Sequence, residues 1–163
     1  MIAISYRLIY LLDEITQKFF FIYCIYFIIC TVINKEQAEK AIAAGAKFIV
    51  SPGISDAVNE VCVKHNIPYL PGIVTPTEII HALDLGIKYL KFFPAGEFGG
   101  LKTIKAFSSA FPQVRFMPTG GVNNDNLAEF AACKAIFAIG GSWLLKGNIK
   151  ETCLAARKIV KGE

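Results

Sequence analysis

The sequence predicts an α/β fold in which parallel strands are joined by crossover helices. First, short apolar runs that stop at Gly or Pro alternate with amphipathic helical segments, about every twenty to twenty-four residues. Second, reactive or anion-binding residues follow the carboxyl ends of several runs, which favours a (β/α) barrel over a doubly wound sheet. Third, no low-complexity linker divides the 163 residues, so we expect one barrel domain over 1–163.

The composition fits a protein with a sizeable core. A hydrophobic content of 54% excludes a disordered chain, and a net charge of +4 from scattered Lys and Arg gives no support to nucleic-acid binding. The cysteines show neither CxxC spacing nor His partners at ligand spacing, so we expect no metal site. They are typical of reduced, mostly buried thiols in a cytoplasmic protein: Cys24, Cys30, Cys62, Cys133 and Cys153.

The first thirty residues differ from the rest of the chain. The run 19–33 has no charge and no helical periodicity, and its aromatic and β-branched residues favour a buried strand. Its length of about fifteen residues is short of the eighteen or so that a spanning helix needs. A signal-like or membrane-associated segment is the alternative, although Asp13 and Glu14 stand upstream, where a signal peptide would be basic.

Capping residues mark where the helices begin. Asn34 and Gln37 form a capping-box pattern, and Ser55 caps the second helix. The strongest start is Thr75, which is followed by proline at the first helical position and by Glu78 at the third. Asn123 or Asn124 caps the fifth helix. We predict helices over 34–45, 55–65, 75–86, 100–110, 123–130 and 150–160.

Strands fill the intervals between these helices. Each is a short apolar run that is followed by Gly or Pro, as expected where a turn ends a strand. One of them is stopped by Pro71–Gly72, and the last ends at Gly140. We predict strands over 47–51, 67–70, 87–93, 114–117 and 135–139.

Lys91 is the candidate nucleophile. It stands in the second half of an almost wholly apolar strand that ends at Pro94. Burying an ammonium costs free energy, so we expect its pKa to fall and part of the population to be the free amine, which attacks carbonyls to form a Schiff base. The alternative is a lysine whose side chain reaches solvent from the end of the strand.

Glycine pairs close the last two predicted strands. Thr119–Gly120–Gly121 follows one of them, and Gly140–Gly141–Ser142 follows the other. In (β/α) barrels, loops at these positions commonly hold a phosphate through backbone N–H groups, a hydroxyl and a helix N-terminus. A tight turn explains each pair equally well, but two in successive loops favour a phosphate site. The sequence contains no GxGxxG or GKS/T motif, so a nucleotide is not indicated.

Four motifs, in this order and spacing, resemble one family. They are SPG at 51–53, KFFPA at 91–95, PTGG at 118–121 and GGSW at 140–143. From about Thr31 to Gly147 the chain is similar to 2-keto-3-deoxy-6-phosphogluconate (KDPG) aldolases, also called 4-hydroxy-2-oxoglutarate aldolases. The resemblance implies a TIM (β/α) barrel and a class I aldolase, usually a homotrimer, that needs no metal. It implies cleavage of KDPG to pyruvate and glyceraldehyde 3-phosphate, with 4-hydroxy-2-oxoglutarate as a candidate second substrate.

The resemblance also implies roles for single residues. Lys91 matches the Schiff-base lysine, whose iminium would accept the electrons of the breaking C–C bond. The remote phosphate would supply binding energy for orientation. The positions that match residues around pyruvate are Thr31, Pro52 and Phe93, and those that match the phosphate site are Gly120, Gly121 and Ser142.

Residues 1–30 depart from the family's pattern. Members carry two further βα units before the third strand, with a glutamate base and, four residues later, an arginine for the substrate carboxylate. Residues 11–18 resemble that part of the family, which places Glu14 at the base position and Lys18 at the arginine position. Cys30 stands where the family usually has glycine. With about six family-like strands retained, we expect an N-terminally truncated or rearranged barrel.

Three functions from different classes stay open. The first is the Schiff-base aldolase, whose partners are a phosphorylated 2-keto acid and pyruvate, with no nucleic acid or membrane. The second is an inactive phosphosugar-binding remnant of the same family that keeps the phosphate loops and lacks the base. The third is a membrane-associated protein anchored by residues 19–33.

Overall fold

The described part of the chain is an α/β structure. A computed structural model describes residues 4–5, 8–11, 20–24, 28–141, 143, 151, 155 and 158. The strands are β1 (Ile4–Ser5), β2 (Leu8–Leu11), β3 (Phe20–Cys24), β4 (Ile28–Cys30), β5 (Phe48–Val50), β6 (Tyr69–Leu70), β7 (Gly72–Ile73), β8 (Tyr89–Phe92) and β9 (Arg115–Pro118). The helices are α1 (Lys35–Ala43), α2 (Asp56–Lys64), α3 (Pro76–Asp84), α4 (Gly100–Ala110) and α5 (Leu127–Ala132).

From β4 onward, successive strands within each sheet are neighbours and run parallel. β4 pairs with β5 and β5 with β6, while β7 pairs with β8 and β8 with β9. Beyond β9, the predicted strand over 135–139 is reduced to isolated parallel bridges of Ile136 with Phe116 and of Gly140 with Thr119. Because neighbouring strands share a direction, their carboxyl ends lie along one edge of the structure.

Residues 69–73 join two sheets. β6 pairs with β5, and after Pro71 the chain pairs with β8 through β7. The predicted end of the strand at Leu70 is confirmed, but the strand that begins at Gly72 was not predicted. Proline has no N–H to donate, but the carbonyl oxygen of Pro71 accepts a hydrogen bond of 2.8 Å from the backbone N–H of Lys91. A second short strand, β7, thus follows directly after the proline and has a new partner.

The apolar run 19–33 contains two strands rather than one. β3 pairs antiparallel with β2, whereas β4 pairs antiparallel with β1 and parallel with β5. The prediction of β structure is confirmed, but the prediction of a single strand is wrong because the two halves of the run take different partners. No helix within the described ranges is long and apolar enough to cross a membrane.

Side chains pack on both faces of the parallel strands. On one face, strand residues pack against the helices, and the largest fully buried members of this cluster are Phe92, Phe116, Ile73, Ile79, Leu90, Ile104 and Leu127. On the other face lies a separate interior cluster that consists of Phe48, Val50, Leu70, Met117 and Ala138. Because the interior cluster takes residues from β5 and β6 as well as from β9, the two sheets share one apolar interior.

The predicted helix starts are largely confirmed. The Asn34 side chain accepts a hydrogen bond from the Gln37 N–H at 2.9 Å, although the Gln37 side chain accepts from the Ile33 N–H rather than from Asn34. Ser55 caps α2, and Thr75 with Glu78 forms a complete capping box on α3. α5 begins after Asn126, so the prediction of a cap at Asn123 or Asn124 is wrong. Residues 151, 155 and 158 are helical, and the rest of the predicted helix over 150–160 lies outside the described residues.

Candidate active site

Lys91 is buried on the interior face of β8. Its exposed fraction is 7%, and its neighbours Leu90 and Phe92 both belong to the helix-facing cluster. Since side chains alternate along a strand, Lys91 points to the opposite face. Its partner in the register of β8 with β9 is Met117, a member of the interior cluster. The geometry supports a buried amine over a lysine that reaches solvent.

The amine of Lys91 lies over an aromatic ring. Nζ is 4.2 Å from the ring centroid of Phe93, at a distance where the negative face of the ring attracts a cation. Phe93 also adjoins the first glycine loop, since a Cβ placed on Gly120 would lie 3.6 Å from Cδ2 of Phe93 and 3.5 Å from Cα of Pro94. The predicted nucleophile and the predicted phosphate loop therefore meet through Phe93.

Pro52 reaches the same strand ends from β5. A Cβ on Gly72 would collide with the carbonyl oxygen of Pro52 and would lie 2.9 Å from the backbone N of Gly53. Only glycine lets the loop after β5 lie this close to β7. Gly72 is in register with Lys91, so Pro52 stands one strand away from the amine.

Thr31 follows β4 in a strained backbone conformation. Its φ is 72°, a left-handed value that β-branched residues rarely adopt. The next residue, Val32, is held from both sides: its N–H donates to the Val50 carbonyl at 3.3 Å, and its carbonyl accepts from the buried Ser51 hydroxyl at 2.6 Å. These bonds tie the loop after β4 to the loop that carries Pro52.

Tyr69 supports the loop that carries Pro52. Burial raises the pKa of the Tyr69 phenol, an effect that is partly offset by hydrogen bonds with the Ser51 side chain and the Ser55 backbone. The hydroxyl donates to the Gly53 carbonyl at 3.4 Å. A phenol that stays protonated keeps this donor at neutral pH.

The loop after β9 exposes N–H groups and has its carbonyl oxygens occupied. The carbonyl oxygens of Thr119, Gly120 and Gly121 accept hydrogen bonds of 2.9 Å each from the Ala95 N–H, the Gly96 N–H and the Asn126 Nδ2. The N–H groups of Gly120 and Gly121 donate to no acceptor in the part of the chain that the structure describes. Their φ values are 84° and 80°. A loop that offers N–H groups and hides its carbonyls attracts an anion.

The second glycine loop is joined to the first. The hydroxyl of Thr119 is buried without a hydrogen-bond partner among the described residues, and a Cβ on Gly140 would lie 2.7 Å from it. A Cβ on Gly141 would collide with the ring of Trp143, whose Nε1 donates to the Asn124 side chain at 3.1 Å. Trp143 therefore connects the end of this loop to the segment that follows β9.

The structure brings most of the predicted site residues to one edge of the sheets. Phe93 contacts both Lys91 and Gly120. Pro52 meets Gly72, the strand neighbour of Lys91. The hydrogen bond from Ser51 to Val32 joins the segments that carry Pro52 and Thr31. Glu14, Lys18 and Ser142 lie outside the described residues. Over the described residues, no group of three or more His, Cys, Asp or Glu side chains could hold a metal ion.

Sequence reasoning missed three residues that shape the site. Gly72 was interpreted as a stop signal, and Ser51 stands in the SPG motif with no role of its own. Asn126 belongs to the run Asn123–Asn126, in which several residues are equally good helix caps. The run of Asn and Asp residues indicates a cap in this segment. The hydrogen bond to the Gly121 carbonyl distinguishes Asn126 from its neighbours, and the sequence does not show that bond.

Comparison with known proteins gives a consistent result. A model of the KDPG and KHG aldolase family matches residues 24–159, a range that begins after Glu14 and Lys18. The 2-dehydro-3-deoxy-phosphogluconate aldolase of Treponema pallidum (strain Nichols) is 47% identical over 115 residues, which are 71% of this chain and 55% of that protein. The chain thus spans about half the length of the curated relatives it matches.

Solved structures agree with the sequence relatives. The 2-keto-3-deoxy-6-phosphogluconate aldolase of Zymomonas mobilis ZM4, solved with 3-phosphoglycerate, has a TM-score of 0.75 at 33% identity and covers 82% of this chain and 66% of its own. The KDPG aldolase of Legionella pneumophila, with pyruvate captured as a covalent carbinolamine, has a TM-score of 0.71 at 36% identity. Its match covers 81% of this chain and 66% of that one.

Proposed function

Because this chain belongs to the KDPG and KHG aldolase family, we propose that it is a class I aldolase that cleaves KDPG to pyruvate and glyceraldehyde 3-phosphate. 4-Hydroxy-2-oxoglutarate is the proposed second substrate. The observation that carries this proposal is the Lys91 amine, which is 7% exposed and lies 4.2 Å from the Phe93 ring at the carboxyl end of β8. A lysine amine buried in apolar surroundings suits attack on a carbonyl.

The proposed reaction begins with attack of Lys91 Nζ on the C2 carbonyl of the keto acid. Loss of water gives an iminium, and a general base then takes the proton from the C4 hydroxyl. The C3–C4 bond breaks, its electron pair moves into the iminium to form an enamine, and the aldehyde leaves. Protonation at C3 and hydrolysis release pyruvate and restore the amine. Glu14 is the proposed base and Lys18 the proposed partner of the substrate carboxylate.

The two ends of the substrate are proposed to bind at different loops. Thr31, Pro52 and Phe93 surround the pyruvate portion. The phosphate is held by the N–H groups of Gly120 and Gly121 together with the Ser142 hydroxyl. The occupied carbonyl oxygens of the first glycine loop support this assignment, because they turn no negative end toward an anion. Phosphate binding then supplies energy that orients the reacting carbonyl.

The proposed architecture is a single (β/α)-barrel domain over 1–163, in which residues 1–30 are atypical. The chain-order pairing from β4 to β9 and the interior cluster shared by both sheets support it. The assembly is proposed to be a cytoplasmic homotrimer, as the family resemblance implies.

Borohydride trapping tests the proposed nucleophile. Incubation with pyruvate and borohydride should leave a reduced adduct on Lys91, located by mass spectrometry of the digested protein. Lys91→Ala should give no adduct and should lower KDPG cleavage by at least about three orders of magnitude. Lys88→Ala is the matched control, since Lys88 is exposed and lies just before the same strand. This variant should form the adduct like the unsubstituted chain.

The inactive remnant is the second candidate, favoured by one observation: the family match begins at residue 24, beyond Glu14. A chain that binds phosphate but forms no pyruvate adduct at any pH would be such a remnant, and the aldolase proposal would fail.

A further inference from the structure

The side chain of Asn126 connects both ends of the loop after β9. Its Nδ2 donates to the Gly121 carbonyl at 2.9 Å, and its Oδ1 accepts from the Asn123 N–H at 2.9 Å. The backbone N–H of Asn126 donates in turn to the Asn123 side chain at 3.3 Å. Both polar ends of this half-buried amide are therefore used by the loop.

The bond from Asn126 sets the direction of one peptide group. The carbonyl of Gly121 and the N–H of Val122 belong to the same planar unit and point in opposite directions. Fixing the Gly121 oxygen therefore also fixes the direction of the Val122 N–H. Glycine restricts its own rotation less than any other residue, so an unheld Gly121 carbonyl is free to turn toward a bound anion and repel it.

The neighbouring carbonyls are held in a different way. Those of Thr119 and Gly120 accept from the backbone N–H groups of Ala95 and Gly96, which no side-chain substitution removes. Among the described bonds to these three carbonyls, the one to Gly121 is made by a side chain. A substitution at Asn126 can therefore remove a hydrogen bond that holds the loop after β9.

We propose that Asn126 is a positioning residue that keeps the Gly120–Gly121 loop in its anion-binding form and makes the enzyme favour phosphorylated substrates, a role that depends on the proposed function. Asn126 contributes nothing to the chemistry at Lys91. Its loss should therefore weaken phosphate recognition and leave carbon–carbon cleavage unchanged.

Two measurements on Asn126→Ala test this role. Calorimetric titration with inorganic phosphate at constant ionic strength should show about five- to tenfold weaker binding than in the unsubstituted chain. The kcat/KM for KDPG should fall by a similar factor, while cleavage of the same keto acid without its phosphate should stay the same. Asn59→Ala is the matched control, because Asn59 is a half-buried asparagine in α2, away from the loop.

Asn126→Asp separates positioning from folding. It keeps an oxygen for the Asn123 N–H but replaces the donor to Gly121 with a second oxygen. This variant should fold and yet bind phosphate at least as weakly as the alanine variant, because its carboxylate repels both the Gly121 carbonyl and the phosphate. Thermal unfolding checks that both variants are folded.

Several results would overturn the positioning role. They are equal losses on the phosphorylated and unphosphorylated substrates, unchanged phosphate affinity in a folded variant, or no phosphate binding by the unsubstituted chain. If the unsubstituted chain binds phosphate but cleaves neither substrate, the proposed function fails, and the phosphate titrations alone decide the role of Asn126.

Discussion

The absence of a side chain at Gly72 lets the loop after β5 lie against the strand that flanks Lys91. We expect Gly72→Ala to lower the free energy of unfolding by about 3 kcal/mol, because its Cβ meets the Pro52 backbone, which cannot rotate away as a flexible side chain could. Gly53→Ala is the control: a Cβ there has nothing within 4 Å, so the change should stay within about 0.5 kcal/mol. Urea unfolding measures both, and equal effects would contradict the steric account.

Cys62 should make the protein less stable as the pH rises above about 9. Burial raises the pKa of its thiol from 9.0 to about 11. The unfolded thiol ionises near pH 9 and the folded one near pH 11, so the stability that Cys62 contributes is present below pH 9 and is lost as the pH approaches 11.

Alkylation with iodoacetamide, followed by peptide mapping, measures this shift. Modification of Cys62 should stay slow at pH 9 and accelerate toward pH 11. Cys133, which is half-exposed, serves as the accessible thiol in the same digest. Rapid modification of Cys62 in the folded protein at pH 8 would show that the thiol is not buried.

Single residues could be predicted where their chemistry is unusual for their place. Lys91 was found because a cation in an apolar run is costly, and the structure buries it as expected. Thr31 could be matched by resemblance, but its φ of 72° could not be predicted, since nothing in a threonine favours that conformation. Ser51 was missed because its partner, the Val32 carbonyl, is a backbone atom 19 residues away.

Among the elements, α3 has the best-defined start. Thr75 accepts from the Glu78 N–H at 3.3 Å, and the Glu78 carboxylate accepts from the Thr75 N–H at 2.8 Å. We expect Thr75→Ala to cost about 1 kcal/mol of stability in urea unfolding. Thr77→Ala, on the exposed first turn of the same helix, should change stability by less than about 0.5 kcal/mol. Equal losses would mean that the cap does not stabilise the helix.

Elements could be predicted where short-range bonds define them. The α3 cap joins residues three apart, so its pattern is visible in sequence. The strand β7, which follows Pro71, depends instead on pairing with β8. One of its bonds is donated by the Lys91 N–H, twenty positions along the chain, and the strand was missed. The start of α5 at Leu127 was missed for a different reason: Asn126 precedes the helix without a side-chain cap bond, and its amide bonds to Gly121 instead.

At the scale of the whole molecule, Met117 connects β9 to side chains of β5 and β6 across the interior. We expect Met117→Ala to cost about 3 kcal/mol, because the cavity would lie between the two sheets, where neither can collapse into it alone. Met117→Leu conserves volume and should cost less than about 1.5 kcal/mol. Thermal and urea unfolding would show this order. If the Leu variant were as unstable as the Ala variant, the volume of the side chain at position 117 would not be what stabilises the interior.

The parallel order of the molecule could be predicted because it repeats. Strand, Gly or Pro stop, and helix recur along the chain, and the strands pair in chain order from β4 to β6 and from β7 to β9. The antiparallel pairs β1–β4 and β2–β3 could not be predicted in the same way. An apolar run such as 19–33 predicts β structure but does not indicate which strand pairs with it.

The loop after β9 also has a consequence for inhibitor chemistry. The carbonyl oxygens of Thr119, Gly120 and Gly121 already accept hydrogen bonds, so among the described residues the Gly120 and Gly121 N–H groups are the backbone groups of this loop left to bind a ligand. A compound aimed at it gains from a sulfonate or phosphonate tail. An ammonium or hydroxyl-donor tail of the same length would meet these N–H donors and should bind less tightly.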